Sequence, residues 1–205
     1  MNRSSLYAWP LPLIGALLLL AGLASWPSSA RAADQPAFPG KLNFTLSDQD
    51  GRKVTLADYA GKIIVLEWVN PNCPFVQRHY KAGTMADLAA KYKDQGVIWL
   101  ALNSTASATP QENKQWVDRF HLTYPILDDS AGQVARQYQA KTTPHMFVIH
   151  NGQVVYQGAI DDDPRGEKGA AAQNYVAKAL EEVLAGKPVT TPETRPYGCT
   201  VKYKE

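Results

Sequence analysis

Apolar residues run unbroken through Ile63-Ile64-Val65-Leu66 and again through Val97-Ile98-Trp99-Leu100-Ala101-Leu102. Such runs are the pattern of strands buried on both faces of a parallel sheet. Upstream, Phe44-Thr45-Leu46 and Lys53-Val54-Thr55-Leu56 flank Asp48-Gln49-Asp50-Gly51, which predicts two short strands joined by a turn whose Asp-Gly tolerates positive φ. After the first long strand, over 62–69, Pro74 suits the first turn of a helix, where its missing N–H costs nothing. Gly83-Thr84 interrupts that helix, Thr84 can cap a second one over 85–94, and Gly96 ends it. The second long strand leads through a polar loop, 103–108, into Thr109-Pro110-Gln111-Glu112. This is a capping box with proline at the first helical position, and the helix it opens runs to about Phe120 with Trp116, Val117 and Phe120 on its apolar side.

Tyr124-Pro125-Ile126-Leu127-Asp128 reads as short and edge-like, and 131–138 as a helix with Val134 and Tyr138 four residues apart. Met146 to His150 and Val154 to Gly158 flank Asn151-Gly152, a pair suited to a type I′ hairpin turn. A last amphipathic helix over 174–184 carries Val176, Ala179, Leu180 and Val183 and is ended by Gly186 and Pro188. The order strand-helix-strand-helix, then hairpin and helix, predicts an α/β domain: a central mixed β-sheet flanked by helices, with an N-terminal β-hairpin extension.

The first 32 residues carry a different pattern. Arg3 precedes an apolar stretch from Leu11 to Ala24, and Ala30-Arg31-Ala32 makes a small-x-small cleavage site before Ala33. This predicts an export signal, because about 14 apolar residues fall short of the ~20 a spanning helix needs. With no cysteine near the junction, a lipoprotein anchor is excluded. The expected plan is a signal peptide over 1–32, one domain over 33–187 and a tail over 188–205 carrying Cys199. The expected location is the periplasm or the exterior, with no stable membrane insertion after cleavage. The chain holds 21 Lys and Arg against 19 Asp and Glu. Removing Arg3 and Arg31 with the leader balances the two, so the basic excess that nucleic acid or an acidic membrane would call for is missing.

Only two cysteines occur. Cys73 follows the first buried strand and precedes a helix, where unpaired N–H groups and the positive end of the macrodipole favour thiolate over thiol. Cys199 lies far downstream in Arg195-Pro196-Tyr197-Gly198-Cys199-Thr200. A domain of about 170 residues builds its core without disulfides. Cys73 therefore reads either as a buried inert thiol or as a redox group, with the redox role favoured in an oxidising compartment.

This order of elements, with a thiol after the first long parallel strand and a Thr-Pro before the hairpin, resembles the thioredoxin fold over roughly 38–187. Within it the chain resembles the redoxin or alkyl hydroperoxide reductase/thiol-specific antioxidant group. The carrying segments are Asn70-Pro71-Asn72-Cys73-Pro74-Phe75-Val76, Leu100-Ala101-Leu102-Asn103-Ser104, Thr142-Thr143-Pro144 and Gly198-Cys199. The match is to a peroxiredoxin-like subgroup with two departures. Val76 stands where a Cys-x-x-Cys would place its resolving thiol, and no Thr or Ser precedes Cys73 at peroxidatic spacing. Peroxidase activity therefore does not carry over by motif.

The resemblance implies a thiol-dependent oxidoreductase with Cys73 and Cys199 as catalytic residues. Thr143, Pro144, Trp68 and Pro74 would bind substrate, and the Thr143–Pro144 bond would be cis. Tyr80, with Trp68, would border the site. The substrate would be a protein or small-molecule disulfide, or a peroxide, and a partner thiol reductant would restore the pair. Cys199 is open to two roles: resolving thiol, or permanent staple. A staple closing a loop of more than a hundred residues contributes on the order of 4–5 kcal/mol in the chain-entropy model. With the staple, the alternative is a non-enzymatic binding protein of the same fold.

Glu67 interrupts its apolar strand just before the thiol. It reads equally as a buried proton relay of raised pKa or as a strand-end residue facing water. His79 is expected to be solvated or partly packed, His145 to lie near the sulfur only if strand alternation allows it, and Asp161-Asp162-Asp163 to be a solvated loop or a weak cation site. The four histidines make no zinc pattern, although a copper site joining Cys73 to a histidine is conceivable. No phosphate loop or dinucleotide fingerprint occurs, so no organic cofactor is expected.

Overall fold

The computed structural model describes residues 42–203. The expected signal peptide and the lead-in through Gly40 lie outside the described residues. Nine strands and five helices follow one another as β1 (Thr45–Ser47), β2 (Lys53–Thr55), β3 (Ile63–Val69), α1 (Pro74–Lys81), α2 (Thr84–Lys93), β4 (Val97–Asn103), α3 (Pro110–Phe120), β5 (Ile126–Asp128), α4 (Gln133–Gln137), β6 (Thr142–Thr143), β7 (His145–His150), β8 (Gln153–Gly158), α5 (Tyr175–Leu184) and β9 (Cys199–Thr200).

Seven strands form the main sheet in the order β2-β1-β5-β4-β3-β7-β8, and β6 pairs with β9 in a small second sheet. β3, β4 and β5 are parallel, while β1, β2, β7 and β8 add antiparallel pairs at the two sides. The long apolar strands sit at the centre because both faces of the sheet are covered. Val65, Val69, Trp99 and Ala101 pack into one core with α1, α2, α3 and α5, and Ile64, Leu66, Trp68, Leu100 and Leu102 pack into a second with α4 and the N-terminal hairpin.

Local signals behave as their chemistry dictates. Thr109 accepts from the Glu112 amide while the Glu112 carboxylate accepts from the Thr109 amide, completing the capping box. Asn174 caps α5 by accepting from the Ala177 amide at 2.8 Å, and Asn151 and Gly152 take φ of 52° and 74° in the β7–β8 turn. Two expectations need correction. The 124–128 segment is not an edge: β5 lies between β1 and β4, with Ile126 and Leu127 fully buried, because the N-terminal hairpin folds back over that side. Gly83, at φ 76°, takes the N-cap position of α2 in place of Thr84, which becomes the first helical residue.

The tail is bound along its length. Residues 192–194 run parallel to β8, with the Gln157 amide donating to Pro192 O at 2.9 Å and the Thr194 amide donating to Gln157 O at 3.0 Å. The approach is so close that a side chain on Gly158 would meet Thr194 at 2.2 Å. Val189 is buried in one core and Val201 in the other.

Candidate active site

The strand-to-helix junction after β3 is held by Asn70. Its side-chain oxygen accepts from the Asn72 amide at 2.8 Å and its backbone carbonyl accepts from the Cys73 amide at 2.9 Å. Cys73 is thereby the N-cap of α1, with Pro74 at its first position and exposed. Facing it, the Thr143–Pro144 bond is cis, and Thr143 and Pro144 are both buried.

Onto this platform the tail lays β9, pairing Thr143 with Cys199 and Thr142 with Thr200. The two sulfurs, 126 positions apart in sequence, are both free thiols 2.8 Å apart, and Cys73 Sγ also lies 3.0 Å from the Thr143 carbonyl oxygen. Gly198 makes the approach possible. Its φ is 140°, and a Cβ there would fall 2.1 Å from Thr143 O.

The two thiols differ. Cys73 is 1% exposed, whereas Cys199 is only partly buried. Burial alone pushes the Cys73 thiol up. The Cys199 thiol, the Val76 amide at the helix start, the Thr143 hydroxyl and the Cys199 amide together outweigh burial and bring Cys73 below the ordinary range. Burial and the same contact with Cys73 push Cys199 up to about 11. Cys73 is thus the more acidic thiol of the pair and Cys199 the less acidic one.

Glu67 is wholly buried on β3. By alternation with Val65 and Val69, its side chain lies on the same face of the sheet as the core that contains Cys73. One carboxyl oxygen accepts from Trp99 Nε1 at 2.9 Å and the other has no hydrogen-bond partner. Burial raises it to about 7, with Trp99 and Tyr80 offsetting part of that rise.

Other candidates lie elsewhere. Trp68 does not border the site: it points to the opposite core, donates from Nε1 to Ser104 at 3.1 Å and packs on Tyr138 and Phe147. Tyr80 is buried beneath α1, against Trp116 and Phe120, and forms no wall facing outward. His145 shares the Phe147 face of β7, away from the sulfurs, and its Nδ1 accepts from the Lys141 amide at 3.1 Å; burial drives its pKa down to about 3. Among the described residues no three His, Cys, Asp or Glu side chains gather into a ligand group.

His79 and the acidic run are corrected as well. His79 is buried and its Nε2 lies 3.0 Å from the Tyr197 hydroxyl, which donates to Asp161. Asp161 and Asp163 are buried, and the Asp163 carboxylate accepts from the amides of Glu167, Lys168 and Gly169. These two carboxylates are held by their own loop and by the tail, so only Asp162 of the run stays partly exposed. Tyr197, two residues before Cys199, is the positioning residue that sequence reasoning missed. Its only sequence signal was an aromatic beside Gly-Cys.

A cysteine at the N-cap of a helix and set against a cis-proline, on a central mixed sheet flanked by helices, defines a thioredoxin-like protein. The AhpC/TSA family profile matches residues 39–157, and the chain belongs to that family. The match ends before α5, so Cys199 lies beyond it. A thiol-disulfide oxidoreductase ResA from Halalkalibacterium halodurans is 31% identical over 129 residues, covering 62% of this chain and 68% of that protein. A ResA from Geobacillus thermodenitrificans is 36% identical over 114 residues, 55% of this chain and 63% of its own. An uncharacterized conserved protein from Geobacillus kaustophilus shares the fold with a TM-score of 0.74 at 27% identity, covering 83% of this chain and 95% of its own.

Proposed function

We propose that the protein is an exported thiol-disulfide oxidoreductase whose redox couple is Cys73 and Cys199. One observation carries the reading: the sulfur at the start of α1 lies 2.8 Å from that of the only other cysteine in the chain. The names of the ResA relatives support the activity, and the leader pattern supports export. No described helix is long and apolar enough to cross a membrane.

In this reading Cys73 thiolate attacks one sulfur of a small disulfide, expelling the other as thiolate and forming a mixed disulfide. Cys199, losing its proton, attacks Cys73 Sγ, releases the second thiolate and closes the Cys73–Cys199 bond. With a peroxide the first step gives a Cys73 sulfenate and water or alcohol; once a proton from solvent converts it to sulfenic acid, the Cys199 thiol attacks Cys73 Sγ and the oxygen leaves as water. A dithiol reductant restores both thiols. Glu67, which titrates near neutrality, serves as the buried proton store on the same sheet face.

The test is the potential of the pair, set by equilibration in thiol buffers. A value of about −120 to −270 mV fits turnover, and one below about −300 mV marks a fixed staple in a binding protein. Peroxide consumption by wild type and by Cys73→Ser then separates peroxide from disulfide substrates.

A further inference from the structure

The pair is asymmetric in a way the chemistry above does not use. Cys73, the better thiolate, is 1% exposed. What covers it is not a loose lid. The tail is fixed upstream of Cys199 by the Thr194 hydroxyl, which bonds the Tyr156 hydroxyl and the Ala159 amide, and by Tyr197 on His79 and Asp161. Downstream it is fixed by the Lys202 carbonyl, which accepts from the Ala106 amide at 2.8 Å, and by the Tyr203 hydroxyl on Ala140 O. Lifting β9 off Cys73 would break contacts on both sides at once. Cys199, by contrast, sits on β9 of the two-stranded sheet and is only partly buried.

We infer that a protein-sized thiol partner exchanges with the couple at Cys199, and that Cys73 is the leaving group rather than the point of contact. The inference rests on the redox reading above and adds which sulfur the partner meets. In the oxidised protein a thiolate of a dithiol partner attacks Cys199 Sγ. A bond forms between the partner's sulfur and Cys199, the Cys73–Cys199 bond breaks, and the electron pair goes to Cys73. The partner's second thiolate then attacks the partner's first sulfur, closing the partner's disulfide and freeing Cys199, which takes a proton from water. Two electrons have moved from the partner to the couple. The direction suits the environments, since a leaving thiolate departs faster the lower its pKa. Cys73 stands at the N-cap of α1, whose aligned amides favour negative charge at that end. Attack on Cys73 by a protein-sized thiol would instead require displacing the tail and would expel Cys199, the poorer leaving group.

The test uses the oxidised full chain and two probes, glutathione and a monothiol thioredoxin variant that cannot resolve its own mixed disulfide. After brief mixing, acid quenching and alkylation of free thiols, peptide mass spectrometry reports which sulfur carries the probe. The expected result is both probes on Cys199, at least tenfold over Cys73. Comparable or greater loading of Cys73 overturns the inference, and so does a couple that glutathione reduces while the protein probe forms no adduct. If neither probe reduces the couple, the redox reading itself fails, a distinguishable result.

Discussion

Gly198→Ala tests whether the tail seats on the cis-proline platform as described. The new Cβ would lie 2.1 Å from Thr143 O, 2.7 Å from Thr143 C and 3.2 Å from Pro144 N. Non-bonded carbon contacts are comfortable at about 3.5 Å or more, so β9 must retreat by roughly 1–1.5 Å. Cys199 is the next residue, so the displacement disturbs the 2.8 Å approach of its sulfur to Cys73 Sγ. Re-forming the sulfur contact then means forcing the side chain back against a backbone carbonyl. Overpacking of this kind costs about 1–3 kcal/mol, and holding alanine at positive φ costs about 1 kcal/mol or more. Together roughly 2–4 kcal/mol weaken disulfide closure by about thirty- to a thousandfold, at ~1.4 kcal/mol per tenfold. Equilibration in graded oxidised and reduced dithiothreitol, followed by alkylation and mass counting of free thiols, reads this as a shift of the half-oxidation point toward more oxidising buffer. A urea titration of the reduced variant separates local displacement from loss of the fold. Half-oxidation within threefold of wild type, in a folded variant, would refute the close-approach role of Gly198.

Other outcomes follow from the same geometry. Glu67 has its folded pKa raised from 4.5 to about 7. Between those values the native state binds a proton that the unfolded state does not, so stability falls as pH rises from about 4.5 through 7 and is lowest above it. Glu67→Gln should flatten that dependence and stabilise the protein at pH 8 relative to wild type by about 3 kcal/mol, measured by urea unfolding at pH 5 and pH 8; parallel pH profiles for the two proteins contradict the assignment. Tyr197→Phe removes the hydroxyl shared by His79 and Asp161 and leaves both buried groups underserved. It should cost about 1–3 kcal/mol in denaturant unfolding, and an effect near zero would show that the hydroxyl does not hold the tail. In Cys199→Ala, loss of the neighbouring thiol should raise the Cys73 pKa, read from thiolate absorbance; an unchanged or lower value would show that the Cys199 thiol does not lower it. The oxidised chain should resist urea more than the reduced one, by up to ~4–5 kcal/mol.

What could be read along the chain was whatever local chemistry decides. The buried strands at 63–69 and 97–103, the Thr109 capping box, the Asn151-Gly152 turn and the thiol at a helix start depend on neighbours in sequence, and each stands where its residues predict. Misreadings came where the deciding partner is remote. His79 lies on the wrong part of α1 to serve Cys73, but Tyr197, 118 positions later, and Asp161 close around it. Asp163 looks like a solvated charge until the amides of 167–169 turn back onto it. Strand alternation sets Trp68 on the face opposite Val65 and Val69, in the second core and away from the sulfurs. No spacing rule brings Cys199 beside Cys73; the crossing of the tail at Gly158 and again at Gly198 does so.

The crossing at β8 has a practical corollary for anyone wishing to study the chain without its second thiol. β8 is the last strand of the main sheet, and residues 192–194 occupy part of its outer rim. Cutting the chain before Val189 would remove Cys199 and also uncover that rim, leaving unpaired amides and carbonyls that invite a neighbouring molecule to add a strand. A truncated protein that clumps, or one that loses activity through clumping, would reveal nothing about sulfur chemistry. Single-atom replacement at position 199 is the cleaner instrument, since it keeps the sheet's border sealed.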